Sequence, residues 1–256
     1  MENENKENME KIEEKAVVKT KLKLIPIIIV IVEVFLLVII AVLILITRAN
    51  SSELDGIPHG TEKININGQW QSITVKKPVI YIYPTQTTEI SVKLGKPENI
   101  TCSYPKYNNG WQVIANPDGK LIDTKTGRKL YSLYWEGLQN EPVDFNEGFV
   151  VEGKDSIEFL EEKLEILGLN EIEAEEFIVY WLPRLQENKY NLIRFASMEE
   201  INDNMPLELS EKPDTIIRIL MQYKALDEYL EVKEQELIKA ERVGFTVVEW
   251  GGTEVK

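Results

Sequence analysis

One apolar block near the amino terminus limits what this chain can fold into more than any other feature. Residues 24–46, bounded by Leu24 and Ile46, read LIPIIIVIVEVFLLVIIAVLILI, and only Pro26 and Glu33 break the run. A helix of that length reaches about 34 Å, enough to cross a hydrocarbon core of roughly 30 Å with some tilt. A soluble core helix carries a polar stripe, and this block has none. The pattern predicts a single transmembrane helix.

Flanking cations orient it. Lys11, Lys15, Lys19, Lys21 and Lys23 precede the block, whereas Arg48 alone follows it closely. Cations collect on the cytoplasmic side, so residues 1–23 are expected as a cytoplasmic tail and the remainder as extracytoplasmic. A cleaved signal peptide is the competing reading. Its apolar region would run to about 7–15 residues, shorter than this one. Thr47-Arg48-Ala49 is also a poor cleavage site. The expectation is an anchor in the cell membrane, with the lipid bilayer contacted through 24–46.

Charge divides at the same boundary. Residues 1–24 hold six Lys and six Glu, while from Ala49 onward 22 Lys and Arg face 36 Asp and Glu. A domain that acidic repels nucleic-acid phosphates and anionic headgroups, which excludes nucleic acid as an expected partner. A single cysteine, Cys102, rules out an intramolecular disulfide framework and a Cys-rich zinc site. As a lone free thiol it is expected to be a small buried hydrophobe. A large outer domain without disulfides must rely on core packing, as is common in bacterial envelopes.

Residues 47–76 are rich in Ser, Gly and Asn and read as a juxtamembrane linker, with a first strand near Ile64–Ile66 or at Ile73–Val75. The ordered domain is expected over 77–256. VIYIYP (79–84), TEISVKL (88–94), WQVIA (111–115), LYSLYW (130–135) and GFVVEG (148–153) read as strands, separated by turns at Pro117-Asp118-Gly119 and Lys125-Thr126-Gly127. Apolar spacing then turns helical. Asp155 with Glu158 resembles a capping box, Ile157, Leu160, Leu164 and Leu167 form a stripe, and Gly168 suits a helix end. Asn170 with Glu173 starts a second helix that buries Ala174, Phe177, Ile178 and Trp181 and is expected to stop at Pro183. NLIRF (191–195), TIIRILMQY (215–223) and GFTVVEW (244–250) return to strand, while 227–242 fits loop or helix. The expected class is α+β, a mainly antiparallel β ectodomain with an inserted helix pair, preceded by the one transmembrane helix.

Several segments also carry a resemblance. KPVIYIYP (77–84), YPKYNNGW (104–111), PDGKLID (117–123), YWEG (134–137), LGLNEIEAEEFIVYWLPRL (167–185) and GFTVVEWGGTEVK (244–256) together resemble an uncharacterised bacterial family of membrane-anchored envelope proteins. The resemblance implies one outer domain over about 77–256 and assigns no functional residue.

Catalytic chemistry finds few residues to use. The one histidine, His59, precedes the ordered domain, which removes triads and His-built zinc sites. No phosphate-binding loop, dinucleotide fingerprint or nucleophile elbow occurs, so no cofactor or metal is expected. Two carboxylates, Glu136 in YWEG and Glu249 in VEWGG, would suit a glycosidase-like pair if they converged. Adjacent strand residues point to opposite faces, so each Glu and its neighbouring Trp are expected to part. Calcium at Asp118 and Asp123 lacks EF-hand spacing. Trp135, Trp250 and Arg184 are the weak ligand-binding candidates, the first two as stacking platforms. Trp70, Trp111 and Trp181 are further stacking candidates, but aromatics at helical or alternating positions are more often core, and Trp181 fits the stripe of its helix, while Arg184, Arg194 and Arg218 fit structural ion pairs better than an anion site.

The expected function is therefore a membrane-tethered binding or interaction module for an envelope polymer or a membrane-protein partner. A carboxylate-based envelope hydrolase is the alternative. Glu33 is the odd residue of the span, because an acid at that depth costs about 2.5–3.5 kcal/mol and is often relieved by a protein partner. If it drives helix–helix association, Glu33→Leu should lower the oligomer fraction trapped by crosslinking in membranes. Equal populations in wild type and variant would remove Glu33 from that role.

Overall fold

The computed structural model describes residues 73–139 and 142–256. The expectations placed on 24–46, Glu33, His59 and Trp70 lie outside them. Among the described residues no helix is long and apolar enough to cross a membrane.

The chain order is β1 (Ile73–Tyr83), β2 (Thr88–Leu94), β3 (Ile100–Tyr104), β4 (Trp111–Ala115), β5 (Leu121–Asp123), β6 (Lys129–Leu130), β7 (Leu133–Gln139) and β8 (Glu147–Glu152). Then follow α1 (Ser156–Ile166), α2 (Glu171–Gln186), β9 (Tyr190–Phe195), α3 (Met198–Asn204), β10 (Leu207–Leu209), β11 (Thr215–Leu226), β12 (Lys233–Glu234) and β13 (Thr246–Glu254). Eight strands form one mixed sheet in the order β12-β8-β9-β11-β13-β1-β7-β3, and five form an antiparallel sheet in the order β10-β2-β4-β5-β6. The α+β class holds. The larger sheet is not purely antiparallel, because β11 runs parallel to β13 and β12 parallel to β8.

Strand alternation builds three layers. In β1, Val79 and Tyr81 join the core beneath α1 and α2, while Ile80 and Ile82 join the core against the small sheet. Leu160, Leu164, Phe177, Trp181 and Leu185 close the helix side with no exposed surface. Ile90, Val92, Trp111, Val113 and Leu121 close the other side. The rest of that face, around Leu220 of β11, is covered by Ile201 of α3.

The helix ends follow their sequence signals unevenly. Gly168 adopts φ 89, its N–H bonds Glu165 O at 3.1 Å and the Leu169 N–H bonds Leu164 O at 3.1 Å. That double bond is the left-handed stop expected at this glycine. Asn170 and Glu173 form the reciprocal capping box that opens α2. The box expected at Asp155 does not form. A one-turn 3-10 helix over Gly153–Asp155 leaves Asp155 at φ −96, ψ 7, away from the extended cap conformation, and its side chain accepts no cap bond. The second helix also runs past Pro183 to Gln186. Pro183 lies on the exposed side, where water can satisfy the carbonyl it leaves, and buried Leu185 holds the following turn.

The strand expectations hold in part. β1 begins at Ile73, one of the two starts expected, and runs on into VIYIYP through a bulge where the register shifts between Lys76 and Val79. LYSLYW is not one strand, because the chain leaves the small sheet at Leu130 and enters the large one at Leu133. Residues 227–242 take the loop alternative, apart from the two-residue β12. Cys102 is exposed on β3 and not buried, since β3 is an edge strand of the large sheet.

Two polar clusters tie the layers together. On the small-sheet face, Arg218 and Glu249 face each other as register partners of β11 and β13, with side chains 1% and 5% exposed. Arg218 Nε donates to Glu249 Oε2 at 2.6 Å, Trp135 Nε1 donates to Glu249 Oε1 at 2.8 Å, and Arg218 Nη1 donates to Asn202 Oδ1 of α3 at 2.7 Å. Arg194 on β9 forks onto Glu200 of α3 at 2.9 and 2.8 Å. On the helix face, buried Glu173 accepts from Tyr83 Oη at 2.6 Å and from Arg242 Nη1 at 2.6 Å, and Tyr81 Oη donates to Glu176.

Removing one member of the buried pair leaves a charge without compensation, which costs about 3–5 kcal/mol, whereas replacing both with apolar groups is often near neutral. Glu249→Leu should therefore lower the unfolding free energy sharply, and Arg218→Met with Glu249→Leu should recover most of that loss in chemical denaturation. Equal losses for the single and double variants would show that charge pairing is not the source.

Burial pushes the phenols of Tyr81, Tyr83 and Tyr223 above their ordinary 10.0, and the carboxylates of Glu176, Glu173 and Glu254 beside them act in the same direction. A folded-state pKa raised in this way gives stability that is present below the ordinary value. It is lost as pH rises past that value toward the raised one, because the unfolded phenols ionise first. In alkaline titration, tyrosinate absorbance from these residues should appear together with loss of near-ultraviolet circular dichroism. Their ionisation while that signal persists would contradict the assignment.

Candidate functional site

The two acids considered as a catalytic pair lie on opposite faces of the large sheet. Glu249 alternates with Val248 and Trp250, which pack under the helices, so it faces the small-sheet side. Glu136 alternates with Trp135, which packs on the small-sheet side, so it faces the helices with Tyr134. Both already have structural tasks. Glu249 is held by Arg218 and Trp135. Glu136 Oε1 accepts the backbone N–H of Lys77 at 3.2 Å, where Lys77 sits at φ 59 in the β1 bulge. The bulge brings Pro78 against Gly251, where an added Cβ would meet Pro78 atoms at 3.1 Å. Glu136 thus satisfies a donor that the bulge releases from the ladder. Next to it, burial and then the Glu136 carboxylate raise the Tyr134 pKa.

The aromatic candidates are core residues. Trp135 is 4% exposed and Trp250 is 0% exposed, so neither offers a face to a sugar. Trp111 is buried with Nε1 on Pro105 O at 2.8 Å, and Trp181 fills the helix stripe. Arg184 stacks on Tyr180 with its guanidinium carbon 4.3 Å from the ring centre and donates to the Tyr180 carbonyl. Asp118 is occupied by Lys120, and Asp123 by Lys125 N–H and Thr126 Oγ1. Both serve turns, and no cluster able to hold a metal occurs among the described residues.

Beneath α3 lies a cavity of about 30 Å3, lined by Val75, Ile201, Met205, Leu220, Arg218 and Glu249 among others. That is room for about one water, and too small for a substrate.

A larger, open feature lies between α1 and α2. It is a groove of about 800 Å3 lined by Leu169, Ala174, Ile178 and Val179, with Glu161 and Glu165 from α1 and Glu171 and Glu175 from α2. The helices present it because their buried stripes are already satisfied. Leu160 and Leu164 of α1 and Phe177, Trp181 and Leu185 of α2 point into the sheet core. Ile172 and Val179, seven residues apart, stand on the outer side of α2 at 68% and 67% exposure. None of the four groove glutamates forms an ion pair with a described residue. An apolar trough flanked by free carboxylates can dock a ligand that is itself apolar and cationic.

The structural pairing expected for Arg194 and Arg218 is present, with Glu200 and Glu249 as partners that the sequence does not name, and the groove is not singled out by the sequence. The Arg218–Glu249 pair had a signal, since TIIRILMQY and FTVVEW each carry one charge inside an otherwise apolar strand, and the two charges are opposite. The groove had a weaker one: Ile172 and Val179 fall off the stripe that buries Phe177 and Trp181. No protein-family model, curated protein or solved structure matches this chain.

Proposed function

We propose that this chain is a single-pass membrane protein, anchored through 24–46, whose extracytoplasmic α+β domain is a binding module that docks its partner in the α1–α2 groove. The observation that carries the docking surface is the exposed apolar row of Ile172 and Val179 beside the groove floor of Leu169, Ala174 and Ile178. Aliphatic side chains left in water on an otherwise charged helix face are what an interaction surface requires, and folding of the domain gains nothing from them. The anchor rests on the apolar block and its flanking lysines. The resemblance to bacterial membrane-anchored envelope proteins agrees with that placement. The hydrolase alternative needs two convergent acids, and Glu136 and Glu249 face away from each other.

A photo-crosslinking residue placed at Val179 in the full chain, in its native membrane, tests both halves. It should yield a discrete adduct. The same residue at Thr126, exposed on a turn of the small sheet, should not. An amino-terminal tag should remain on the membrane-bound chain and on the adduct. Absence of any adduct at Val179, or adducts of equal yield at Thr126, would overturn the groove as the docking surface. Loss of the tag from the membrane-bound form would overturn the anchor.

A further inference from the structure

The chemistry of the groove narrows its occupant. Resting on the docking reading above, we infer that the α1–α2 groove receives a cationic amphipathic helix from a protein partner, which completes a three-helix layer on this face of the domain.

The floor comes first. Leu169, Ala174 and Ile178 offer aliphatic surface in a trough between two helices, and exposed Val179 extends it past the α2 rim. Ala174 and Ile178 lie one turn apart on α2, which matches apolar anchors at i and i+4 on a docked helix. Two packed helices leave a groove that a third can fill by ridge-into-groove contact, at about 8–10 Å between axes. A volume of about 800 Å3 takes several side chains, more than one isolated anchor would need.

The rims set the charge. Glu161 and Glu165 are one turn apart on α1, and Glu171 and Glu175 are one turn apart on α2, so each wall carries two carboxylates at i and i+4. Among the described residues that line the groove there is no cation. An amphipathic helix with Lys or Arg flanking its apolar stripe would set a positive row against each wall, and the long apolar stems of those side chains would extend the contact.

Other occupants fit less well. A second copy of the same groove would place four carboxylates against four. Phosphate-bearing wall polymers and anionic lipid surfaces meet the same repulsion, reinforced by the surplus of acids from Ala49 onward. A neutral sugar would leave the four carboxylates unused and would want an aromatic face, which the groove lining lacks.

The test uses the full chain in nanodiscs of zwitterionic lipid and three fluorescent helical peptides. One is a Leu/Lys amphipathic peptide, one is its scrambled isomer of the same composition, and one is the Leu/Glu counterpart. Binding is read by anisotropy against empty nanodiscs. The Leu/Lys peptide should bind, its affinity should fall with added salt, and the other two should bind far more weakly. The groove variant E161Q/E165Q/E171Q/E175Q should weaken the Leu/Lys peptide by about ten-fold or more if each exposed pair contributes its usual share. The control E89Q/E98Q/E208Q/E211Q removes the same charge from exposed positions on the small-sheet side, across the large sheet from the groove, and should change affinity by less than about two-fold. Equal loss in both variants would reduce the effect to bulk attraction and overturn the proposal. So would equal binding of the scrambled or Leu/Glu peptide. If no peptide binds while Val179 still gives its adduct in the membrane, the partner class is wrong and the docking surface stands. If that adduct is also absent, the docking reading itself fails.

Discussion

The described domain depends on one buried ion pair at the centre of its larger sheet. Arg218 and Glu249 are opposite each other in the parallel pairing of β11 with β13, and each is almost wholly removed from water. Two charges in that setting are tolerable only together, because either alone would carry a desolvation penalty of several kcal/mol. The consequence is register. A slip of one residue between β11 and β13 would send one charge to the helix core and leave the other without a partner. The pair therefore specifies a parallel alignment that aliphatic neighbours such as Ile217 and Val248 would accept in more than one way. Its remaining bonds reach outward, through Trp135 to β7 and through Asn202 to α3. Four elements are positioned by one polar contact.

A second contact does similar work on the opposite face. Glu173 caps α2 through Asn170, accepts from Tyr83 on β1, and pairs with Arg242 in the crossover between β11 and β13. That crossover has no helix of its own. It is held to the helix layer by Arg242, by the Ala240 N–H on Ile166 O at 3.0 Å, and by Leu237 and Ala240 packing on the core. A parallel connection normally uses a helix to cover the sheet. Here α1 and α2, inserted earlier in the chain, already cover it, so the later crossover needs only to pass over them.

The difference between what the residues announced and what they concealed follows from distance along the chain. Gly168, Asn170 with Glu173, and the alternation of Ile90, Val92 and Leu94 act within a few residues, and each was readable. The split of LYSLYW between two sheets was not, because Leu130 and Leu133 look alike until their partners in β5 and β1 are known. Pro183 misled because its effect depends on which side of the helix it occupies. Cys102 misled because burial of a thiol depends on whether its strand is central or at an edge. Glu136 and Glu249 were legible as unusual acids beside tryptophans, yet their roles, one satisfying a bulge and one pairing across a parallel ladder, depend on strands distant in sequence. The α1–α2 groove was hardest to see, since Val179 becomes meaningful only after Trp181 has been assigned to the core.

The treatment of acids inside and outside the domain then separates structure from surface. Among the described residues the buried carboxylates of Glu173 and Glu249 each have an arginine, and half-buried Glu200 has Arg194. At Glu200 burial alone would raise the pKa, but the bonds from Arg194 and from Ser197 outweigh it and lower the value. The groove glutamates have no such partner among the described residues. Like charges at i and i+4 destabilise a helix by about 0.2–0.5 kcal/mol per pair, and both α1 and α2 carry such a pair on the side that faces the groove. Exposed Val179 beside the α2 pair adds apolar surface that the fold does not bury. Repulsion and unburied hydrocarbon at one place are both relieved by the same event, the arrival of a ligand with a complementary stripe and charge. Glu173, Glu249 and Glu200 find their cations inside the domain, and the groove glutamates leave theirs to a partner.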